Sequence, residues 1–282
     1  MEKVSVVIPT YKRNELLEKA INSVITQTYE HLEIIIIDDN GYENEYRKKN
    51  RQLEKKLKNH SNIKFFYPST NLGGSNARNY GVLKSDGDYI SFLDDDDYFL
   101  PNKVEIMLKQ LLKTNSEMAY SYVISNKGEL WEKYYNGQPL FELFRDDCLA
   151  ATSQWIIKKE AIMNVKGFDD TPAKQDSILT YKLISQGYSV TCVPQVLSVY
   201  NEHDGIRISN SGKTLIGEMN LYNKYQESKH LFTKSENDEL MYNFHLRFFK
   251  YKIKSKKYFS SIKDLIYLLI KKPRKILELV WS

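Results

Sequence analysis

The chain has 282 residues, and 41% of them are hydrophobic, so it is long and apolar enough to bury a substantial core. Its two cysteines, Cys148 and Cys192, exclude a disulfide framework and a cysteine-based metal site, and they fit a reducing compartment. Residues 247–282 hold 11 of the 41 basic and 2 of the 36 acidic residues, a net charge of +9, whereas the rest of the chain carries −4; the chain's net charge of +5 therefore arises from this segment. The start shows no signal-peptide segment, and no aliphatic run approaches the roughly 20 residues that span a bilayer.

Apolar strands and helices alternate over the first 115 residues. The predicted strands are apolar runs at 4–8, 32–37, 63–67 and 89–93. The predicted helices are at 16–25, 42–59, 73–83 and from Pro101 onwards, and the second of them is polar enough to read as exposed. This alternation predicts an α/β fold with a Rossmann-like, mostly parallel sheet and helices on both faces.

The pattern is looser after residue 115. Strands are predicted at 118–124, 153–157, 189–193 and 196–200, and helices at 140–144 and 174–186. A helical, basic tail follows from about residue 213. We therefore expect one α/β domain at 1–212, with halves at about 1–115 and 116–212, and a C-terminal extension at 213–282.

Acidic clusters follow two of the predicted strands. Asp38 and Asp39 follow the second strand, and Asp94–Asp97 follow the fourth. Ligands of such sheets bind beyond the carboxyl ends of the strands, so both clusters are expected in one crevice. Four adjacent carboxylates repel one another, and a divalent cation with a preference for oxygen ligands would stabilise them. A solvated turn before Pro101 and helix capping are the alternatives for the two clusters.

A glycine turn at Asn71–Asn79 opens the third helix. A helix N-terminus attracts anions, and Arg78 lies one turn inside it, although ordinary loop-to-helix chemistry would look the same. The chain contains no G-x-G-x-x-G or Walker A sequence. A dinucleotide oxidoreductase and a P-loop enzyme are therefore not supported.

Five short motifs occur in an order that resembles the family-2 glycosyltransferases of the GT-A fold, over roughly residues 3–205. They are Val4–Tyr11, Ile37–Asn40, Asn71–Gly73 with Ala77–Asn79, Phe92–Asp97 with Pro101, and Gly167–Asp169 with Gln175 and Asp176. The resemblance implies an inverting enzyme of bacterial surface-polysaccharide synthesis, with 1–212 as its catalytic domain. It would move a hexose or N-acetylhexosamine from a UDP-sugar to a hydroxyl of a polysaccharide or lipid-linked acceptor, assisted by Mn²⁺ or Mg²⁺.

The resemblance also implies roles for individual residues. Asp96 would be the main metal ligand and Asp94 the next, with Asp94 near the ribose or a metal-bound water, and His203 a further ligand. Two registers of the family's D-x-D pattern fit the four aspartates. The nucleotide-sugar would be bound by Pro9, Thr10, Tyr11, Arg13, Asp39, Asn71, Gly73, Arg78, Asp94, Asp95, Gln175 and Arg207.

Asp176 matches the catalytic base of the family and would accept the proton of the acceptor hydroxyl. The family pattern there is Glu-Asp, whereas this chain has Gln175-Asp176, which we interpret as a change of specificity. A catalytically inactive sugar-nucleotide-binding protein is the alternative, and taken alone Asp176 would be a helix cap. A nucleotidyltransferase would carry a glycine-rich loop after the first strand, where Pro9–Arg13 has no glycine.

Residues 201–207 follow the last predicted strand. His203 in this segment is either a ligand of the site or an ordinary surface residue. Arg207 would neutralise the leaving diphosphate. Trp155 is either a floor for the acceptor or a core residue.

The C-terminal tail combines apolar and basic residues. An apolar stripe consists of Phe259, Ile262, Leu265, Ile266, Leu269 and Ile270. The basic run 271–275 and Trp281 follow. This combination is typical of an interfacial anchor on an anionic membrane surface, which predicts a cytoplasmic protein peripheral to the inner face of the membrane. Packing on the catalytic domain or on a second subunit of a homo-oligomer is the alternative, and no motif supports nucleic-acid binding.

Overall fold

The computed structural model describes residues 2–202 and 213–273 of the chain. Within them the strands are β1 Val4–Thr10, β2 Leu32–Asp38, β3 Ile63–Phe66, β4 Tyr89–Phe92, β5 Tyr98–Phe99, β6 Met118–Ser125, β7 Leu130–Trp131, β8 Trp155–Lys158 and β9 Val190–Tyr200. The helices are α1 Asn14–Ile25, α2 Glu45–Lys56, α3 Gly74–Lys84, α4 Lys103–Thr114, α5 Leu140–Asp146, α6 Lys159–Asn164, α7 Gln175–Ser185, α8 Thr214–Ser228, α9 Lys234–Lys254 and α10 Tyr258–Lys271.

The strands form one sheet in the order β3-β2-β1-β4-β8-β6-β9-β5, and β7 pairs with β6. The pairs among β1 to β4 are parallel, as is the long pair of β6 with β9, whereas β8 runs antiparallel to both of its neighbours. The predicted α/β class with a mostly parallel sheet is confirmed. Because β2 and β4 flank β1 in parallel, the carboxyl ends of these three strands share one edge.

Helices cover both faces of the parallel strands. On one face, Val4, Val6 and Ile8 of β1 belong to a buried cluster together with apolar residues of α1 and α4. On the other face α3 approaches closely at Gly81, where an added Cβ would lie 2.3 Å from a methyl carbon of Val7. Successive side chains of β1 point to opposite faces of the sheet, and helices cover both, so the predicted helices on both faces are confirmed.

The structure differs from the prediction at the last strand. The two strands predicted at 189–193 and 196–200 are the single strand β9. Its register with β6 jumps from Ser121 paired with Val193 to Tyr122 paired with Val196. The two extra residues on β9 include Pro194, which has no N–H to donate, so a bulge rather than a turn accommodates it.

The described residues fall into two compact units. The first comprises 2–139, 149–170 and 182–202 and contains the sheet. The second comprises 140–148, 171–181 and the described part of the C-terminal region. The tail thus groups with two segments that precede the expected boundary at residue 212.

Aromatic rings fill the centre of the second unit. Phe144 lies with its ring centroid 5.7 Å from that of Tyr225 and 6.2 Å from that of Phe244. Helix α10 packs on α9, where Leu268 and Tyr242 are buried together. Among the described residues, no helix combines the length and apolarity that a bilayer crossing requires.

Candidate active site

The aspartates after β4 do not all point the same way. One carboxylate oxygen from each of Asp94, Asp96 and Asp97 lies within 4.8 Å of the others. Asp95 instead accepts a hydrogen bond from the main-chain N–H of Tyr11, at 3.3 Å. Of the two predicted registers, the structure therefore gathers the 94/96 pair and adds Asp97, which the sequence analysis did not assign to the metal.

Residues from other elements hold this acidic triad. The main-chain N–H of Asp94 donates to Ser153 Oγ at 3.1 Å, and the hydroxyl of Thr152 lies 3.4 Å from both carboxylate oxygens of Asp94. The N–H of Asn201, just after β9, donates to Asp97 at 3.1 Å. No motif marks Thr152 and Ser153, because their proximity to Asp94 arises from the pairing of β4 with β8.

Burial and mutual repulsion disfavour the charged carboxylates. Burial, and then the neighbouring Asp96, raises the pKa of Asp95 to about 7, although Arg13 opposes this. The pKa of Asp97 is also raised, by burial first and then by Asp94 and Asp96. A positive charge would favour the ionised forms, and three carboxylate oxygens so close together match the preference of Mg²⁺ and Mn²⁺.

Two arginines line the acidic cluster. Arg78 donates to Asp94 at 2.5 Å. Arg13 donates to Asp95 at 3.2 Å and also forms an ion pair with Asp96. Both were predicted to bind the nucleotide-sugar, and the structure places both guanidinium groups at the edge of the triad.

The turn after β1 joins the ends of β2 and β4. Tyr11 contacts Asp95 through its N–H, and the N–H of Lys12 donates to the side-chain oxygen of Asn40 at 2.9 Å. Lys12 adopts a left-handed φ of 59°. Pro9 is half-buried and Thr10 buried, whereas the ring of Tyr11 is 47% exposed and open to a ligand. The two acidic clusters thus lie on either side of this turn, as expected.

Asp39 binds the glycine turn that precedes α3. Its carboxylate accepts the N–H groups of Leu72 at 2.5 Å and Gly73 at 3.0 Å, and the side-chain amide of Asn71 at 3.0 Å. Gly73 needs its freedom, since its φ is 79°. The predicted residues Asp39, Asn71 and Gly73 are therefore brought together. Burial raises the pKa of Asp39 against these hydrogen bonds, and a role in binding the base stays a prediction.

Asp38 supports the scaffold from a fully buried position. It accepts hydrogen bonds from Asn50 at 2.8 Å and from Arg47 at 3.4 Å, both on α2. Most of α2 is exposed, as its polar sequence predicts, but Arg47 and Asn50 form a buried polar face that binds Asp38.

Asp176 lies in the second unit, in the first turn of α7. One oxygen accepts the N–H of Ser177 at 2.8 Å, and the other lies 3.4 Å from Cys148 Sγ. Gln175 donates to the carbonyl of Thr171 at 3.1 Å. Asp176 is half-buried, and its role as a base stays a prediction.

Three further candidate site residues are His203, Arg207 and Trp155. His203 and Arg207 lie outside the described residues. Trp155 is completely buried and donates to the carbonyl of Ala150 at 3.1 Å, so it is a core residue and not a floor for the acceptor.

Comparison with known proteins identifies the family of this chain. The model of Glycosyl transferase family 2 matches residues 5–172. An uncharacterized glycosyltransferase of Rickettsia bellii is 38% identical over 138 residues, which are 48% of this chain and 19% of that protein. The chain spans less than half the length of the first curated relatives that it matches.

Two further matches extend over more of the chain. The Escherichia coli UDP-Glc:alpha-D-GlcNAc-diphosphoundecaprenol beta-1,3-glucosyltransferase WfaP is 26% identical over 224 residues, covering 78% of this chain and 86% of that protein. The fold is similar to that of S. aureus TarS 1-349 solved with UDP-GlcNAc, with a TM-score of 0.67, 14% identity, and 98% and 92% of the two chains covered. With the family match over more than half of its length, the chain belongs to glycosyl transferase family 2.

Proposed function

We propose that the enzyme transfers a sugar, with inversion, from a UDP-sugar to a hydroxyl of a lipid-linked polysaccharide precursor. The observation that carries the proposal is the triad Asp94, Asp96 and Asp97 at the carboxyl end of β4, beside the turn after β1. The donor and acceptor in the name of WfaP and the UDP-GlcNAc complex of TarS support UDP as the nucleotide and a diphospholipid as the acceptor.

The donor would lie across the carboxyl ends of β1, β2 and β4. The exposed ring of Tyr11 provides a flat surface for the base, next to Asp39. Arg13 and Arg78 stand at the edge of the triad and have the forked geometry that suits diphosphate oxygens. Asp96 and Asp94, with Asp97, would hold Mn²⁺ or Mg²⁺, and the bound ion would stabilise negative charge on the departing UDP.

Inversion follows from a single displacement. The acceptor hydroxyl attacks the anomeric carbon on the face opposite UDP, and Asp176 accepts the hydroxyl proton as the new C–O bond forms. The bond to the diphosphate breaks, and UDP leaves with its electron pair. Gln175 replaces an acidic neighbour beside this base and can donate a hydrogen bond to the acceptor.

Turnover with defined substrates tests the proposal. The protein, Mn²⁺, UDP-glucose or UDP-GlcNAc, and a panel of GlcNAc-diphosphoryl lipids would be incubated, with UDP release measured and the anomeric configuration read by NMR. Asp176→Asn is expected to lower kcat by about 10²–10⁴-fold with UDP binding unchanged. Asp170→Asn, which changes an exposed carboxylate shortly before Asp176 in the sequence, is the matched control.

Two results would reject this function. One is that no donor, including GDP- and dTDP-sugars, is turned over with any acceptor while UDP still binds, which is the behaviour of an inactive sugar-nucleotide-binding protein. The other is a product that retains the donor's anomeric configuration, since that requires two displacements.

We also propose that the C-terminal region binds the anionic cytoplasmic face of the membrane, where a lipid-linked acceptor resides. Leu265 of the predicted stripe and its neighbour Leu268 face α9, whereas Phe259 on the other side of α10 is 92% exposed. The remaining exposed apolar residues are Ile262, Ile266, Leu269 and Ile270. Lysines at both ends of the helix complement anionic headgroups.

A further inference from the structure

The segment leading into α7 is contacted closely by α8. The side-chain amide of Asn220 donates to the hydroxyl of Thr171 at 3.0 Å. Gly217 lies against the main chain of Ala173, and a Cβ added to Gly217 would be 2.6 Å from the carbonyl oxygen of Ala173. Only glycine therefore allows α8 to approach this segment so closely.

A buried charged cluster surrounds the same segment. Glu218, the neighbour of Gly217, is fully buried and accepts a hydrogen bond from Arg247 of α9 at 2.6 Å. Lys174 lies 3.5 Å from the other oxygen of Glu218 and forms an ion pair with Asp147. Two cations and two carboxylates thus balance one another, and such a network favours one arrangement of the groups that it joins.

The network fixes an unusual backbone conformation. Lys174 has a φ of 61°, in the left-handed region that few residues other than glycine adopt. The hydroxyl of Ser177, in the first turn of α7, donates to the carbonyl of Asp147 at 2.5 Å. The contacts therefore hold the chain on both sides of Asp176, at 171–174 before it and at Ser177 after it.

We propose that Gly217, Glu218 and Arg247 are positioning residues for Asp176. They hold the turn at Lys174 and, through it, the start of α7 and the direction of the Asp176 carboxylate. The inference rests on the proposed role of Asp176 as the base. These residues lie beyond residue 172, where the family match ends, so the C-terminal region takes part in catalysis in addition to any contact with a membrane.

Gly217→Ala in the full-length chain is the principal test. Alanine is the better helix former, so α8 itself is not weakened, and only the contact with Ala173 is violated. We expect kcat with UDP-glucose and the acceptor panel to fall roughly 10- to 100-fold, with the Kd for UDP unchanged. Amide hydrogen exchange in 171–181 should rise in Gly217→Ala and in Glu218→Gln.

A matched control separates positioning from general packing. Tyr225→Phe removes a 2.7 Å hydrogen bond from α8 to Asn237 and leaves Gly217, Glu218 and Asn220, which contact 171–174, unchanged. This variant should keep wild-type kcat and wild-type exchange in 171–181. If it loses as much kcat as Gly217→Ala, the effect is one of helix packing and the inference fails.

A double-variant cycle connects the effect to Asp176. In an Asp176→Asn background, Gly217→Ala should cause no further loss of kcat. An equal loss in both backgrounds, or unchanged exchange in 171–181 in both Gly217→Ala and Glu218→Gln, overturns the inference. If Asp176→Asn alone keeps wild-type turnover, the proposed base and the inference fail together. If Asp176→Asn is inactive but Gly217→Ala is fully active, only the inference fails.

Discussion

The side chain of Asn79 forms two hydrogen bonds with the main chain of Phe168. Its Nδ2 donates to the carbonyl oxygen and its Oδ1 accepts the N–H, both at 2.8 Å. A Cβ on Gly167 would lie 2.3 Å from that Oδ1, so glycine is required there. Phe168 in turn lies under the guanidinium of Arg78, 5.7 Å from its ring centroid. Two motifs that are distant in sequence thus form one support for Arg78.

Removing the two hydrogen bonds of Asn79 to Phe168 should destabilise the fold. Asn79→Ala leaves the N–H and carbonyl of Phe168 unpaired, and we expect the free energy of unfolding to fall by about 2–3 kcal/mol in urea denaturation. Asn76→Ala on the same helix removes one 3.2 Å bond to Leu72 and should cost less than about 1 kcal/mol. Equal losses in the two variants would contradict a special role for Asn79.

Asp96 should dominate metal binding. Asp96→Asn replaces one carboxylate of the triad by an amide, and we expect the Kd for Mn²⁺ in the presence of UDP to rise by roughly 10-fold or more in calorimetric titration. Glu15→Gln, an exposed carboxylate on α1, should leave that Kd unchanged. An unaltered Kd for Mn²⁺ in Asp96→Asn would show that the ion binds elsewhere.

The buried carboxylate of Glu33 should make stability depend on acidity. Burial alone would raise its pKa, but hydrogen bonds from Lys64 at 2.9 Å, Ser5 and the N–H of Asp86, together with Lys3, lower it to about 2. A pKa below the ordinary 4.5 means that the contribution is complete above pH 4.5 and is lost as the pH falls towards 2.

Glu33→Gln isolates this contribution. The variant should be less stable than the wild type by about 3 kcal/mol at pH 7, with the difference shrinking below pH 4.5. Urea denaturation of both proteins across this range provides the measurement. A difference that does not depend on pH would mean that Glu33 acts through packing alone.

Lys103 should have the opposite effect on stability. It is fully buried, donates to Met107 Sδ at 3.1 Å and lies over the ring of Phe99. Burial lowers the pKa of its ammonium group from 10.5 to about 7, so below pH 7 the fold bears the whole cost of burying the charge. Between pH 7 and 10.5 the unfolded chain binds more protons, and stability therefore rises with pH.

Lys103→Met removes this charge with little change in shape. The variant should be more stable than the wild type by roughly 2–4 kcal/mol at pH 7, and the gain should diminish towards pH 10. Lys109→Met, on the exposed side of the same helix, should change the free energy of unfolding by less than about 0.5 kcal/mol. Destabilisation by Lys103→Met at neutral pH would contradict the assignment.

The exposed face of α10 should determine binding to vesicles. Phe259→Ser combined with Ile266→Ser should weaken binding to phosphatidylcholine vesicles containing phosphatidylglycerol by roughly 10-fold or more, and added salt should weaken it further. Tyr42→Ser, an exposed aromatic residue in the first unit, is the control. If the intact protein does not bind these vesicles and sediments as a dimer, the exposed face of α10 is a contact between subunits.

The first four strands could be predicted to within one or two residues. Parallel strands buried on both faces give unbroken apolar runs such as Ile34–Ile37, and these are visible in a single sequence. The two-residue strand β5 could not be predicted, since it exists only through its pairing with Val199 and Ser198. The fusion of two predicted strands into β9 likewise depends on a bulge against β6.

The site was predictable where its residues lie in strand-end motifs. The resemblance assigns Asp39, Asn71 and Gly73 to binding of the nucleotide-sugar, and the structure joins them. The residues that hold Asp94 and Asp97 were missed because they come from a turn before β8 and from the end of β9. Local sequence carries no information about which distant strand lies beside β4. It also does not distinguish Gly217 from other helical glycines, because the close contact of Gly217 is with Ala173, which is distant in sequence.

The way Asp39 binds its loop restricts how the donor preference of this enzyme can evolve. Both of its oxygens accept main-chain N–H groups, from Leu72 and Gly73. Asparagine would turn a donor towards one of these amides, so mutation to the nearest isostere would displace the glycine turn. Adaptation to another nucleotide is therefore expected to begin at Tyr11, whose exposed ring lies against the exposed ammonium group of Lys12, 5.0 Å from the ring centroid.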